Sequence, residues 1–274
     1  MTVAEAIRKA AAELEATSDS ARLDAELLMA HALRASRSDM LLRHMTDTVP
    51  SAFSSLVDRR AANEPVAHIT GNQEFYGRSF AVTPDTLIPR GDSETLIDAA
   101  LEIAPKARRV LDLGTGTGAL LITMVLELEQ ASGLATDKSP EAIKMAEQNA
   151  RTLGLDETSA RFELRDWTQA GWADGLGQFE LILCNPPYVE VAAELDPDVR
   201  EFEPATALFA GPEGLDDYQM LMPQLRGLMT DSAVVIFEIG ASQAEAVTQI
   251  AQAHGFEVTL RKDLAGRPRA LILR

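Results

Sequence analysis

The stretch Val110-Leu111-Asp112-Leu113-Gly114-Thr115-Gly116-Thr117-Gly118 leaves this chain few folds to choose from. An apolar strand at Arg109–Leu113 breaks into three alternating glycines, and an apolar run over 119–126 follows at once. A strand, a tight turn and a helix in that order open a parallel α/β sheet, because a crossover must carry the chain back before the next parallel strand can pair. The alternation continues downstream. Strands are expected at 134–137, 160–165, Phe179–Cys184, 233–239, 256–261 and 269–273, with helices at about 119–130 and 139–153. Residues 263–268 are too few for a crossover helix, so the last two strands should pair antiparallel. The expectation is a doubly wound α/β domain.

Gly114, Thr115, Gly116, Thr117 and Gly118 form a loop whose glycines let the backbone approach a ligand closely, and the amino end of the next helix can hold an anionic group. Gly114, Gly116 and Ala119 satisfy a relaxed dinucleotide fingerprint. Asp137 closes the second strand 19 residues beyond Gly118, where an acid accepts hydrogen bonds from ribose hydroxyls. These features fit a nicotinamide dinucleotide or S-adenosylmethionine. Asp112, inside the first strand, and the end of the fourth strand separate the two.

At that end Asn185-Pro186-Pro187-Tyr188 follows the buried run Phe179–Cys184, on the side of the sheet where open α/β domains bind ligands. An Asn side-chain oxygen and a neighbouring carbonyl in a rigid Pro-Pro turn make a pair of acceptors suited to a planar NH2 group. Hydride transfer has no evident use for such a site. Chemistry on an amino or amide nitrogen does, with nucleobase and amide both open at this point. Asp166-Trp167 follows the third strand, where an acid or backbone group can reach an adenine amino group. The indole of Trp167 can cover the ring by stacking, or pack the domain rim.

Composition removes several other classes. With 46% hydrophobic and 24% charged residues, the chain has the make-up of an ordinary globular protein. Its longest central apolar run, 119–126, is far too short to cross a bilayer, and residues 1–5 have neither a basic start nor a hydrophobic region of signal-peptide length. A cytoplasmic protein without membrane attachment is expected. The single cysteine, Cys184, excludes an intrachain disulfide, and its place inside a buried strand suits an inert packing role. His31, His44, His68 and His254 show no metal-ligand spacing, so no metal site is expected. The net charge is −17, which argues against direct grip on nucleic acid, whose binding draws on phosphate neutralisation. Residues 190–217 carry nine acidic side chains and one basic, Arg200, which reads either as a solvated surface loop or as a docking surface for a basic partner.

Residues 1–70 read as a small helical bundle. Thr2 and Glu5 fit a capping box ahead of Val3–Leu14, residues 22–33 place apolar side chains near helical spacing, and Pro50 stands near the start of a helix over 51–62. Residues 71–91 read as a hairpin and linker: Glu74-Phe75-Tyr76 and Ser79-Phe80-Ala81-Val82 flank Gly77, and Pro84 and Pro89 hold the chain extended. Ser93 should then cap a helix through Leu96, Ile97 and Leu101, opening the main domain, 92–274.

The glycine loop with Asp112, together with Asn185-Pro186-Pro187-Tyr188, resembles the cofactor and catalytic motifs of class I methyltransferases that act on planar nitrogens. Further stretches narrow the resemblance to the peptide chain release factor N5-glutamine methyltransferases, the HemK/PrmC family. Before the main domain these are Arg59-Arg60, Glu64-Pro65, Gly71, Glu74-Phe75-Tyr76-Gly77 and Leu87-Ile88-Pro89-Arg90. After the fourth strand they are Glu203-Pro204, Ala207-Leu208, Gly211, Gly214-Leu215-Asp216, Glu238-Ile239-Gly240 and Asp263-Leu264-Ala265-Gly266-Arg267. The resemblance covers nearly the whole chain and is weakest over the first 50 residues. Gly91 departs from it, standing where the family usually has a second proline, which should loosen the turn.

The resemblance implies a Rossmann-like class I methyltransferase fold with a small N-terminal helical domain that helps to grip the protein substrate. It implies that Gly114, Thr115, Gly116, Thr117, Gly118, Asp137, Trp167 and Asn185 contact S-adenosylmethionine, leaving S-adenosylhomocysteine as product. Asn185, Pro186, Pro187 and Tyr188 would hold the substrate, the glutamine of a Gly-Gly-Gln loop in peptide chain release factors. Apart from the resemblance, a monomer is expected. Rivals are a ribosomal protein glutamine methyltransferase, a DNA adenine-N6 methyltransferase, which would flip its base into the same acceptor pair, and a non-catalytic translation adaptor.

Overall fold

A computed structural model describes residues 1–274. The chain divides into two compact units, one joining Met1–Asn72 to Leu195–Phe202, the other joining Gln73–Glu194 to Glu203–Arg274. No helix is long and apolar enough to cross a membrane.

The first unit is helical. Its first helix, Val3–Leu14, opens on the expected capping box, with Glu5 N–H donating to Thr2 Oγ1 and Thr2 N–H donating to Glu5 Oε2. Helices Ala21–Leu33 and Phe53–Ala61 pack with it around Ile7, Leu14, Leu28, Met29 and Phe53. Two short elements were not legible from periodicity: Arg37–Asp39, which runs on as a π-helical turn over Met40–His44, and Val66–Thr70. Neither spans two turns, so neither displays a repeat. Arg60 lies buried in this unit, its Nε donating to Asp24 at 2.8 Å, while Ser18 and Ser20 hydroxyls donate to the same carboxylate. Asp198, carried in by the 195–202 segment, stands 3.9 Å from Arg60.

The second unit begins with a hairpin of β1 (Asn72–Phe75) and β2 (Arg78–Ala81), turned through Tyr76 and Gly77 at φ of 50° and 71°. Positive φ at both turn residues matches the strand twist of a two-residue hairpin. The remaining strands are β3 (Arg109–Leu113), β4 (Ser132–Asp137), β5 (Ala160–Leu164), β6 (Phe179–Cys184), β7 (Met229–Glu238), β8 (Val258–Lys262) and β9 (Pro268–Leu273). They form one sheet in the order β5-β4-β3-β6-β7-β9-β8, parallel except for β9, which pairs antiparallel with both neighbours as the short connection requires.

Successive side chains of a strand point to opposite faces, and both faces are covered here. Leu181 and Leu183 of β6 enter a core with Leu96, Leu121 and Ile122 on one side, while Ile182 and Cys184 pack with Trp172, Tyr218 and Phe237 on the other. The helix Ala119–Glu127 is apolar all round because it is buried all round, and it ends before the expected residue 130. Asn149, buried on the helix Pro140–Thr152, ties the hairpin to the glycine loop: it exchanges hydrogen bonds with the Ala81 backbone and donates to Thr117 O at 2.9 Å.

Ser93 departs from expectation. The helix Glu94–Ile103 is preceded by a 3-10 turn, Gly91–Ser93, and the Ser93 hydroxyl makes no cap bond. It donates instead to Glu238 Oε2 at 2.5 Å, because a fully buried carboxylate needs donors more than an exposed helix end does. At Gly91 the φ is not positive and a Cβ would meet open space, so neither backbone nor packing demands glycine.

Candidate active site

β3 and β6 lie side by side, and strand order runs from β3 outward through β4 and β5 in one direction and from β6 through β7 in the other. This is the point where the strand order reverses in a doubly wound sheet, and the crevice beyond it is where such sheets bind ligands. Leu113 aligns with Cys184, so the glycine loop and Asn185 leave the sheet as neighbours. They open onto one shared cleft, as expected beyond the carboxyl ends of such strands. Gly114, Thr115, Gly116 and Thr117 line it after β3, Asp137 after β4, Trp167 after β5, and Asn185 and Pro187 after β6. The linker contributes Thr86, Leu87, Pro89 and Arg90, and the turn that follows it contributes Ser93.

Asp137 holds the loop as well as facing the cleft. Its Oδ2 accepts from Gly116 N–H and its Oδ1 from Ser139 N–H, each at 2.9 Å, and burial raises its carboxyl above the usual range. Each oxygen keeps a further lone-pair site for a ligand hydroxyl. Asp112 acts from beneath: fully buried, it accepts from Thr115 Oγ1 at 2.6 Å, and burial pushes its pKa up to about 7 against that hydrogen bond. Gly118 is off the cleft wall, at φ 84° on the entry to the helix Ala119–Glu127.

Trp167 lies at the cleft and not at the outer rim of the domain. Its indole forms cleft wall, and a Cβ at Gly114 would come within 3.0 Å of the ring, so only glycine lets the loop lie against it. Its Nε1 donates to Asp217 at 2.8 Å, which fixes the ring plane. Asp166 does not face the cleft with its acid. Its carboxylate closes a local turn, accepting from the Thr168 N–H and hydroxyl.

Asn185 is the most informative side chain. Its Oδ1 is buried and accepts no hydrogen bond, while its Nδ2 lies 3.5 Å from Ser93 Oγ. Pro186 and Pro187 are both buried, and only Pro187 lines the cleft. Tyr188 stands behind the wall: its hydroxyl donates to Glu238 Oε1 at 3.2 Å, its carbonyl accepts from Gln243 Nε2 at 2.9 Å, and burial pushes its phenol well above the usual range. Cys184 is buried and its thiol is driven far up by burial, consistent with packing.

The acidic stretch 190–217 is not one solvated face. Glu190, Glu194, Asp196 and Glu201 are exposed, but Glu203 is buried under the linker, where it binds Arg90 and accepts from Ile88 N–H at 3.4 Å. Asp217 is committed to Trp167. Periodicity missed Ser93, Glu238, Gln243 and Asp217 as parts of the site. One signal was present for Glu238, an acid directly after the apolar run 233–237 of β7.

Comparison with known proteins agrees with this architecture. The PrmC N-terminal domain matches residues 5–71, and a methyltransferase domain matches residues 105–208. Among solved structures, a methyltransferase from Pyrococcus furiosus superposes with a TM-score of 0.54 at 16% identity, covering 80% of this chain and 98% of that one. The hMettl16 catalytic domain does so at 0.59 and 15% identity, covering 80% of each. Both share the fold. Release factor glutamine methyltransferases are much nearer in sequence: the protein from Cereibacter sphaeroides is 40% identical over all of this chain and 99% of its own length, and that from Moorella thermoacetica 38% identical over 99% and 98%. With a class I methyltransferase sheet, a glycine loop and Asn185 at its switch point, and identity of this extent along its whole length, the chain belongs to the release factor glutamine methyltransferase family.

Proposed function

We propose that this protein transfers the methyl group of S-adenosylmethionine to the side-chain amide nitrogen, N5, of the glutamine in the Gly-Gly-Gln loop of peptide chain release factors. The observation that carries the reading is the buried Asn185 Oδ1, an acceptor without a donor at the wall of the cleft. A buried polar group left unpaired costs free energy in the absence of a ligand, and a substrate N–H supplies what it lacks.

The residues present fit S-adenosylmethionine. The backbone of Gly114 to Thr117 beside the helix amino end suits its amino-acid portion, the Asp137 carboxylate suits ribose hydroxyls, and the indole of Trp167 suits a flat base. When bound, the cofactor supplies an electrophilic methyl on a sulfonium. The chain's own contribution is to position a weak nucleophile, since an amide nitrogen's lone pair is delocalised into its carbonyl. Asn185 Oδ1 and the Pro186 carbonyl accept its two N–H bonds, fix the amide plane, and stabilise positive charge growing on nitrogen. Pro187 stiffens the turn that holds both acceptors, and Gln243 anchors that turn through the Tyr188 carbonyl. As the N–C bond forms and the S–C bond breaks, the nitrogen gives up one proton to solvent. The gain is positioning and aimed dipoles, so no strongly basic side chain is needed.

Incubation with labelled S-adenosylmethionine and purified release factor, wild type against a Gln→Ala loop variant, tests the reading. Label on the wild type alone is expected. Label on both, or on a ribosomal protein or DNA in preference, would refute it.

A further inference from the structure

Glu238 sits at the end of β7, fully buried, and touches two parts of the site at once. Its Oε2 accepts from Ser93 Oγ at 2.5 Å and its Oε1 from Tyr188 OH at 3.2 Å. Nothing in the proposed chemistry calls for a carboxylate here. We propose that Glu238, acting through Ser93, sets the direction of the Asn185 amide, so that Oδ1 and not Nδ2 faces the cleft; both are then positioning residues. The inference rests on the reading of Asn185 Oδ1 as the acceptor for the substrate amide.

A carboxylate only accepts, whereas a serine hydroxyl has one proton to donate and two lone pairs. With that proton directed at Glu238, the Ser93 oxygen faces Asn185 purely as an acceptor. The Asn185 group beside it, at 3.5 Å, must then be the amide nitrogen. The flipped amide would set two oxygens against each other with no proton between them. A polarity chosen at Glu238 thus passes through Ser93 and emerges as an acceptor at the cleft. A neutral serine alone would permit either direction, since it can donate to an amide oxygen as readily as accept from an amide nitrogen.

The seat of this relay is clamped. Arg269 on β9, itself buried, pairs with Asp92 at 2.7 Å and so holds the turn that carries Ser93 beside the end of β7. Burial pushes the Glu238 carboxyl upward, while Ser93, Arg269 and Tyr188 pull it down. The same carboxylate fixes Tyr188, so both ends of Asn185-Pro186-Pro187-Tyr188 take their orientation from one group.

Kinetics of Ser93→Ala, the isosteric Glu238→Gln and the double variant, with S-adenosylhomocysteine affinity by calorimetry, provide the test. Each single variant should lower kcat about 10- to 100-fold with KM and cofactor affinity within about threefold. The double variant should lose no more than the worse single one, because residues acting in series couple instead of adding. Unchanged kcat, multiplying losses or a parallel fall in cofactor affinity would each overturn the relay. If the wild type fails to methylate release factor, the functional reading falls, and the relay is judged by NMR alone. The Asn185 side-chain amide, assigned by its absence in Asn185→Ala, should exchange with solvent at least about tenfold faster in Ser93→Ala. An unaltered exchange rate would refute the relay independently of any substrate.

Discussion

Asn185 keeps a buried oxygen that nothing in the folded chain satisfies, a state that costs about 1 to 3 kcal/mol. Removing it should therefore separate stability from activity. Asn185→Ala is expected to lower kcat by roughly 10²- to 10³-fold, about 2.7 to 4 kcal/mol in the transition state, with no loss of thermal stability. Steady-state kinetics beside calorimetric unfolding would check both; a lower Tm with normal turnover would reverse the assignment. Asp112 offers a pH test. Its pKa rises from 3.8 to about 7 on folding, so the stability it permits is complete below pH 3.8 and is lost as pH rises through about 7. The loss is at most about 1.4 kcal/mol per pH unit across that window. Asp112→Asn can still accept from Thr115 and carries no charge, so its advantage over wild type should grow from pH 4 to pH 8. A difference in unfolding free energy that does not vary with pH would count against a buried, neutralisable Asp112.

At the scale of elements, local pattern was a good guide wherever an element is long enough to repeat. The capping box at Thr2, the strand Phe179–Cys184 and the antiparallel closing pair β8 and β9 stand where spacing placed them. It failed for Val66–Thr70 and the π turn, which are too short, and for Ser93, whose hydroxyl serves a residue in a distant strand. The junction between loop and helix shows how tightly the glycine loop is built. A Cβ at Gly118 would lie 2.7 Å from Ile122 Cδ1 and 3.1 Å from the Ala146 Cβ, at a backbone φ of 84° that side chains disfavour. Gly118→Ala should cost about 2 to 4 kcal/mol from the left-handed backbone and overpacking together, and should weaken cofactor binding because the loop shifts with it. Chemical denaturation and calorimetry with S-adenosylhomocysteine measure the two effects, and wild-type values for both would contradict this packing.

For the whole molecule, the cleft is lined entirely by residues of the second unit. We propose that the helical unit supplies docking for the protein substrate. A short peptide bearing the Gly-Gly-Gln loop should then be methylated with a kcat/KM at least about 100-fold below that of intact release factor, a difference of about 2.7 kcal/mol of remote binding energy. Equal kcat/KM for peptide and protein would remove any docking role. The net charge of −17 gives association a dependence on salt only where the partner carries basic surface.

What the amino-acid sequence determined alone is what neighbours along the chain can encode: the succession of strands and helices, the glycine loop, the acid ending the second strand, and the Asn185-Pro186-Pro187-Tyr188 turn after the fourth. Periodicity and turn chemistry act over a few residues, so these features survive without a fold. The tertiary structure decided which of them meet. β3 and β6 are neighbours only because the strand order switches there, which sets Asn185 beside a loop that ends at Gly118. Asp217 orients Trp167 from 50 residues away, and Glu238 claims the Ser93 hydroxyl across 145. Buried polar groups take whichever donor folding brings within reach, and that choice belongs to long-range packing.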